Sequence, residues 1–358
     1  MRKFYYNMIK NIKIQNKIIG EKQPVFIIAE AGVNHNGSLK NALKLVDAAV
    51  AAGADAIKFQ TFKAEQVVTT ISKMADYQKK NTGKEENQLS MLKKLELPDE
   101  FYKPLMDYCR KKKIIFLSTP HGGFDSVDLL AKLKMPAFKF GSGDLTNSPV
   151  LQYAAKLGKP IILGTGMATL NEVRDAVNVI KKAGNKKIIV LHGTSNYPCP
   201  LKEVNLKAMQ TIAEKLNVLV GYSDHTLGAE SPVAAASLGA CIIEKHFTLN
   251  KDMSGPDHKA SVEPNELKEI VEAIKNISLI IGDGIKKPTI NELKTRKVSR
   301  KSLVVLHDIK KGEELTDKNI GIKRPGTGLE PKCYFDILRK TASRNIRKDS
   351  LIVLKDFK

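Results

Sequence analysis

Two short apolar runs decide the fold, Asn217-Val-Leu-Val-Gly-Tyr-Ser-Asp-His225 and Ala240-Cys-Ile-Ile-Glu-Lys-His246. Each run is rich in β-branched residues and stops on polar groups, which is typical of a buried strand. The segment between them, Leu227 to Gly239, has the length of a helix. A βαβ unit has parallel strands, so both histidines are predicted to lie at one edge. Because α/β proteins bind ligands at that edge, the histidines are either metal ligands or hydrogen-bonded loop residues.

The same pattern of an apolar run followed by a helix-like stretch recurs along the chain. Six earlier runs begin at Val25, Ala56, Ile114, Ala137, Ile161 and Ile188. Amphipathic stretches separate them, such as the one from Leu170 to Ile180, for which Thr169 is the predicted N-cap. Eight strands alternating with helices over about 260 residues predict a (β/α)8 TIM barrel. A doubly wound open sheet is the alternative, but its glycine fingerprint is missing after the first strand.

The pattern changes near the C-terminus, which indicates a second domain. Residues 1–284 are predicted to form the barrel, with a short hairpin over Asn11–Gly20 plugging its bottom. Residues 285–300 are charged and predict a linker, and residues 301–358 predict a small, mostly β domain with a last strand at Leu351–Leu354. The segment 61–97 is longer than an ordinary connection, which predicts a functional loop that forms a wall over the site.

Composition limits the class of partner. The chain has 358 residues and a formal net charge of +21, but its lysines are scattered and it has no Trp. This favours a solvated basic surface over a nucleic-acid-binding stripe. The four cysteines are far apart, which fits a reducing compartment. Without a signal-peptide core or a membrane-length apolar run, the chain is predicted to be cytoplasmic, with no nucleic-acid or membrane partner.

Polar residues at the strand ends of a barrel point at a common centre. Lys58, Lys139 and the turn Gly141-Ser-Gly143 favour a phosphate, because they combine positive charges with close backbone N–H groups. Each lysine alone fits an ordinary ion pair equally well. Glu30 is a general acid or base candidate, or else a carboxylate that only holds a lysine. These residues predict a barrel enzyme for a phosphorylated anion, assisted by a metal on the two histidines.

Ten stretches resemble the sialic acid synthases and their nonulosonic acid relatives, in the order of that family. They are Ile28–Gly37, Lys58–Phe62, Ser118–Pro120, Lys139–Gly143, Thr165–Met167, Tyr197–Pro198, Ser223–Thr226, Glu244–Thr248, Ser254–His258 and Lys323–Gly326. The resemblance spans nearly the whole chain. It implies a metal-dependent condensation of phosphoenolpyruvate with N-acetylmannosamine and water, which gives N-acetylneuraminate and phosphate with C–O cleavage of phosphoenolpyruvate. It also implies a C-terminal antifreeze-like (SAF) domain and a domain-swapped homodimer.

The resemblance also implies roles for individual residues. The catalytic residues would be Glu30 and Asp144; the phosphoenolpyruvate-binding residues Lys58, Thr119, Lys139, Ser142, Ser195 and Ser223; the sugar-binding residues Gln60, Asn81, Tyr197, Asp257 and Arg324; and the metal ligands His225 and His246. The metal would be divalent, with Mn²⁺ expected and Mg²⁺ or Co²⁺ as alternatives. Three positions depart from the family pattern: Asp144 replaces Glu, Gly164 replaces Ser of some members, and His121 replaces Phe.

Other functions fit parts of the pattern. A synthase for N,N'-diacetyllegionaminate, which uses 2,4-diacetamido-2,4,6-trideoxymannose, would share these residues, as would one that uses N-acetylmannosamine 6-phosphate. A phosphoenolpyruvate-dependent synthase of an eight-carbon sugar acid is disfavoured by Lys323-Arg-Pro-Gly326 in the C-terminal domain. A sugar-binding or nucleic-acid-binding protein on an inactive barrel is disfavoured because Glu30, both histidines and both lysines are present.

Overall fold

The computed structural model describes residues 10–82 and 86–358, which form two compact units. The first unit ends at Gly282, and the second is Asp283–Lys358. The strands of the first unit are β1 Asn11–Ile14, β2 Lys17–Gly20, β3 Phe26–Gly32, β4 Ala56–Thr61, β5 Ile115–Pro120, β6 Phe138–Phe140, β7 Ile161–Gly164, β8 Ile188–His192, β9 Leu219–Asp224 and β10 Ile242–His246.

Strands β3 to β10 form one eight-stranded sheet, and all of its pairings are parallel. The order is β5-β4-β3-β10-β9-β8-β7-β6, so the first strand pairs with the last. The two ends of this order, β5 and β6, lie side by side, but no backbone hydrogen-bond ladder joins these two described strands. We call this place the seam of the barrel. The TIM barrel prediction is confirmed. The doubly wound alternative is wrong, because the strand order runs around a ring and does not reverse.

Helices follow the barrel strands and cover the outside of the sheet. Their bounds are α1 Leu39–Ala52, α2 Ala64–Val67, α3 Asp76–Thr82, α4 Gln88–Lys93, α5 Asp99–Lys111, α6 Gly123–Lys132, α7 Ser148–Lys156, α8 Leu170–Lys182, α9 Lys207–Leu216, α10 Glu230–Ser237 and α11 Pro264–Ile281. The predicted cap of α8 is confirmed: the Thr169 hydroxyl accepts from the Glu172 N–H at 3.3 Å. The Glu172 carboxylate accepts from the Thr169 N–H at 2.7 Å, which completes a capping box.

Two apolar layers hold the barrel together. The larger layer lies between the strands and the surrounding helices. The smaller layer fills the barrel interior at the N-terminal end, where Ile12, Ile14 and Ile19 of the antiparallel pair β1–β2 pack against Phe26 and Ile28. The hairpin that plugs the bottom of the barrel is therefore confirmed. Because apolar side chains close this end, polar groups gather at the opposite end of the strands.

The second unit has its own small core, which includes Leu303, Ile320 and Ile346. Strands β11 Ser302–Val305 and β12 Ile320–Lys323 pair antiparallel. Its helices are α12 Ile290–Ser299 and α13 Tyr334–Ile337. Helix α12 occupies most of the segment predicted as a linker, and all of its residues are exposed.

The last predicted strand, Leu351–Leu354, is wrong. Leu351 makes a single bridge to Val304, and Leu354–Asp356 is a 3-10 turn. The buried Asp356 carboxylate accepts from the Val353 N–H at 2.9 Å, which removes the donor that a continued ladder needs.

None of the helices formed by residues 10–82 and 86–358 has both the length and the apolar character that a bilayer crossing requires.

Candidate active site

A cavity of about 540 Å³ opens at the C-terminal end of the barrel strands. Twelve residues predicted from the sequence line it: Glu30, Lys58, Gln60, Thr119, Lys139, Ser142, Ser195, Tyr197, Ser223, His225, His246 and, from the loop after β10, Asp257. Glu244 of strand β10 lines it as well. A larger depression of about 780 Å³ lies at the N-terminal end, and none of the predicted site residues lines it. The chemistry is therefore concentrated in the smaller cavity.

Two buried lysines and two buried glutamates form the floor of the cavity. Lys58 Nζ lies 2.6 Å from Glu30 Oε2 and 3.7 Å from Glu244 Oε1. Lys139 Nζ lies 3.0 Å from Glu244 Oε1, and Lys58 also donates to the Thr119 hydroxyl at 3.0 Å. The sequence places all four side chains at strand ends, but it does not indicate that Glu244 joins both lysines.

The two glutamates differ in their affinity for a proton. Burial raises the pKa of Glu30 to about 7, although Lys58 lowers it. Burial also acts to raise the pKa of Glu244, but the attraction of Lys139 and Lys58 outweighs it and lowers the pKa to about 2. Glu244 therefore stays ionised and holds the lysines, whereas Glu30 exchanges a proton near neutral pH.

The floor keeps unused acceptor capacity for a ligand. Glu244 Oε2 has no hydrogen-bond partner among the described residues, whereas Glu30 Oε2 lies 2.6 Å from Lys58 Nζ in an ion pair. A buried acceptor without a donor is costly unless a ligand or water satisfies it. Glu244 Oε2 can therefore accept from a water or from a hydroxyl group of a ligand.

A second carboxylate stands near Glu30 on the side of Gly32. A Cβ built at Gly32 would lie 3.5 Å from Glu30 Oε1 and from Gln60 Nε2, and 3.8 Å from Asp257 Oδ2. Gly32 has φ +52°, a conformation that favours glycine. Burial raises the pKa of Asp257 to about 6. The turn at Gly32 therefore gathers two proton-exchanging carboxyls and one amide at a single place.

The two histidines of the opening sequence lie together, with ring centroids 5.5 Å apart. Tyr197 packs on His225 at 4.2 Å and meets His246 edge-on at 5.8 Å. Burial lowers the pKa of both histidines, and the neighbouring His225 lowers that of His246 further. Both rings are therefore neutral at pH 7, which is the form that binds a metal. The described residues provide no cluster of three or more candidate metal ligands, so the pair fits an open site.

Hydroxyl groups surround the anion-binding side of the cavity. The Ser142 hydroxyl accepts from the Gly166 N–H at 2.9 Å. A Cβ at Gly166 would lie 2.1 Å from the Ser195 hydroxyl and 2.8 Å from that of Ser142, so only glycine fits between the two serines. Packing therefore requires glycine at position 166, within the stretch Thr165–Met167.

One wall of the cavity comes from the long segment 61–97, as predicted. Its lining residues are largely apolar: Val67, Ala75, Gln78, Gln88, Met91, Leu92 and Leu95. Met91 and Leu95 are buried in a small cluster with Val33 and Phe62. Sequence reasoning did not identify these residues individually, because an irregular loop has no periodicity that assigns a side chain to one face.

Three predicted site residues lie outside the cavity lining. The Asp144 carboxylate accepts from the His121 ring, with Oδ2 and Nδ1 2.8 Å apart, and it is His121 that lines the cavity. The Asn81 amide donates to the Pro256 carbonyl at 2.7 Å and so anchors the loop that carries Asp257. Arg324 belongs to the second unit and follows β12. Their predicted catalytic and sugar-binding roles stay predictions.

The comparisons with known proteins identify the family of this chain. A profile of the NeuB family matches residues 45–286, and a profile of the SAF domain matches residues 300–358. The chain is 51% identical to N,N'-diacetyllegionaminic acid synthase of Campylobacter jejuni, over 91% of this chain and 98% of that protein. It is 45% identical to the protein of the same name from Legionella pneumophila, over 91% and 93%.

A solved structure supports the same assignment. The N-acetylneuraminic acid synthetase of Leptospira borgpetersenii, solved with citrate, is 34% identical and superposes with a TM-score of 0.71. The alignment covers 81% of this chain and 96% of that one. The family profile spans well over half of the chain, and the full-length relatives extend across both units. The chain therefore belongs to the NeuB family and carries a SAF domain after its barrel.

Proposed function

We propose that this protein condenses phosphoenolpyruvate with 2,4-diacetamido-2,4,6-trideoxymannose and water, giving N,N'-diacetyllegionaminate and phosphate. The observation that carries the choice of sugar is the 51% identity to a legionaminic acid synthase along 98% of that protein. N-acetylmannosamine, expected first from the sequence, becomes the competing substrate. The apolar wall around Met91 and Leu92 supports the same choice, since the proposed sugar carries a methyl group at C6 and an acetamido group at C4 in place of hydroxyls.

The floor of the cavity is assigned to phosphoenolpyruvate. Lys58 and Lys139 bind its phosphate and carboxylate, with the hydroxyls of Thr119, Ser142 and Ser195 as further donors. Glu244 stays ionised and keeps both ammonium groups at fixed positions. Binding in this way holds C3 of phosphoenolpyruvate in line with the sugar aldehyde, which lowers the entropic part of the barrier.

Glu30 is assigned the proton transfer. C3 of phosphoenolpyruvate bonds to the aldehyde carbon, and the cation left at C2 takes up water. Glu30 removes the proton of that water, and the tetrahedral intermediate then breaks its C2–O bond and releases phosphate. The new alkoxide takes up one proton, so the overall reaction consumes no acid. A carboxyl with a pKa of about 7 exchanges protons readily at neutral pH, which suits this step.

His225 and His246 are assigned as ligands of a divalent metal, with Mn²⁺ expected and Mg²⁺ or Co²⁺ as alternatives. Their neutral, buried imidazoles fit such an ion, and two protein ligands leave positions for substrate oxygen atoms. The ion would act as a Lewis acid that polarises the sugar aldehyde. Tyr197, Gln60 and Asp257 surround the same space and are assigned to the amino sugar.

Arg324 lies in the second unit, and its proposed role involves a second copy of the chain. We assign Arg324 to the acetamido group of a sugar bound in the barrel of a second copy, which makes the active unit a domain-swapped homodimer. A cytoplasmic location also stays a prediction. The homodimer is testable by light scattering, and a monomeric enzyme at full activity would contradict it.

The decisive experiment measures phosphate release from phosphoenolpyruvate with each candidate sugar, with and without Mn²⁺, and identifies the product by mass. The expected result is the highest kcat/KM with 2,4-diacetamido-2,4,6-trideoxymannose. A higher kcat/KM with N-acetylmannosamine or its 6-phosphate would reassign the sugar and keep the reaction. Phosphate release with none of the three sugars, by a folded protein that contains metal, would favour the binding-protein alternative. The Glu30→Gln variant is the matched control for background hydrolysis.

A further inference from the structure

His121 and Asp144 are joined across the seam between β5 and β6. Nδ1 of His121 and Oδ2 of Asp144 lie 2.8 Å apart. His121 directly follows β5, and Asp144 ends the 3-10 turn Ser142–Asp144 after β6. Thr119 lies on the β5 side of the seam, and Lys139 and Ser142 lie on the β6 side. Since no ladder joins these two described strands, the side-chain pair links the two halves of the anion site at the rim.

The His121 ring is held between this carboxylate and a glycine. A Cβ built at Gly141 would lie 2.9 Å from Cε1 and 3.5 Å from Nε2 of the ring, so the ring packs directly on the Gly141 backbone. The His121 N–H donates to the Thr61 carbonyl at 3.0 Å, which holds the backbone of this residue as well. His121 is about one quarter exposed and lines the cavity beside Ser142 and Gly143.

We propose that His121 is a further phosphate-binding residue, and that Asp144 is a positioning residue that acts through it. With Nδ1 directed at the carboxylate, Nε2 is the ring atom left for a ligand. An N–H at Nε2, on a ring held in this way, donates to an anionic oxygen of the ligand in a charge-assisted hydrogen bond. The proposal rests on phosphoenolpyruvate being the substrate of the proposed function.

The charges of the floor explain why a further donor matters. Lys58 and Lys139 are each already paired with a glutamate, so the four groups together carry little net positive charge. Phosphoenolpyruvate brings a phosphate and a carboxylate into this space. His121 packs on the turn at Gly141 and bonds to Asp144, so it is not paired with Glu30 or Glu244 as the lysines are. A donor at this position stabilises the phosphate without disturbing those two ion pairs. Two of the three departures from the family pattern, Asp144 and His121, are then one structural unit, because the Asp144 carboxylate bonds to a ring nitrogen that Phe does not have.

The test measures binding of phosphoenolpyruvate and of inorganic phosphate by calorimetry to the full chain with Mn²⁺ present and no sugar. His121→Asn keeps an amide near the position of Nδ1 but removes Nε2, and we expect it to weaken phosphoenolpyruvate binding about tenfold or more. His121→Gln places an amide near the position of Nε2 and is expected to restore most of the affinity. Neither variant should change the KM of the sugar, whereas a general loss of structure would change both.

A double-mutant cycle tests the role of Asp144. Asp144→Asn is expected to weaken phosphoenolpyruvate binding in the wild type and to have no further effect in a His121→Phe background. Full additivity of the two changes would overturn the positioning role. Unchanged binding in His121→Asn, while the wild type binds phosphoenolpyruvate, would overturn the assignment of His121 and leave the proposed function standing. A metal-loaded wild type that binds neither ligand would overturn both.

Discussion

Nδ1 of His225 lies 2.6 Å from the carbonyl oxygen of Thr194, and this contact decides which ring nitrogen is free. A carbonyl oxygen only accepts, so Nδ1 carries the proton and Nε2 carries the lone pair. A backbone partner of this kind orients metal-binding histidines in proteins generally.

Replacing either His225 or His246 by Ala should abolish stoichiometric Mn²⁺ binding, because one imidazole leaves too few donors when residues 10–82 and 86–358 provide no further ligand cluster. Metal content after dialysis measures it, together with activity restored by Mn²⁺ after chelation. His192→Ala is the matched control, since His192 ends the neighbouring strand β8 and its Nε2 donates to the Val204 carbonyl at 2.8 Å. Full activity of the thoroughly chelated wild type would contradict the metal assignment.

The pH dependence of kcat/KM should show the proton affinity of Glu30. Because burial raises its pKa to about 7, the base form disappears as the pH falls, and kcat/KM should decrease tenfold per pH unit below about 7. Glu30→Gln should lower kcat by roughly 10²–10⁴-fold and remove this limb. The phosphate of the substrate has a pKa of about 6, and its effect on the pH profile will remain in the Glu30→Gln variant. Comparing the two profiles therefore separates the titration of Glu30 from that of the substrate. A wild-type profile that is flat from pH 6 to 8 would assign the proton transfer elsewhere.

Lys245 should be essential to stability without lining the cavity. Its Nζ lies 2.5 Å from Asp224 Oδ2, donates to the Thr226 carbonyl, and is fully buried. Lys245→Met should lower the free energy of unfolding by about 3–5 kcal/mol, because Asp224 would stay buried without a cation.

The matched control for Lys245 is Lys251→Met, which removes a partly exposed pair with Glu266 at 2.6 Å. That change should lower the free energy of unfolding by about 1 kcal/mol or less. Urea denaturation compares the two variants. An equal loss of unfolding free energy in the two variants would mean that burial of the Asp224–Lys245 pair does not increase its contribution to stability.

Gly166→Ala should disturb anion binding more than folding. The new Cβ would lie 2.1 Å from the Ser195 hydroxyl and 2.8 Å from that of Ser142, so both hydroxyls must move away from their present positions. Losing one or two hydrogen bonds to a charged ligand should raise the KM of phosphoenolpyruvate at least about tenfold. Steady-state kinetics check this, and an unchanged KM would show that neither hydroxyl contacts the substrate.

Local patterns in the sequence were enough to predict the barrel and the rim of its cavity. A strand that is buried on both sides needs a continuous apolar run, and the polar residue that ends the run must lie at the sheet edge. For this reason Glu30, Lys58, Lys139, His225 and His246 could be placed together although they are distant in the chain. The hairpin Asn11–Gly20 was predictable in the same way, from short alternation around a turn.

Contacts between distant segments were decided only by the tertiary structure. Which lysine faces which glutamate depends on the register of neighbouring strands, and the pairing of His121 with Asp144 depends on the seam between β5 and β6. The apolar wall of the segment 61–97 has no repeating pattern, and Leu351–Leu354 has strand composition but loses its ladder to the Asp356 carboxylate. Periodicity reports which face of an element is buried, whereas side-chain pairing depends on distances across the folded chain.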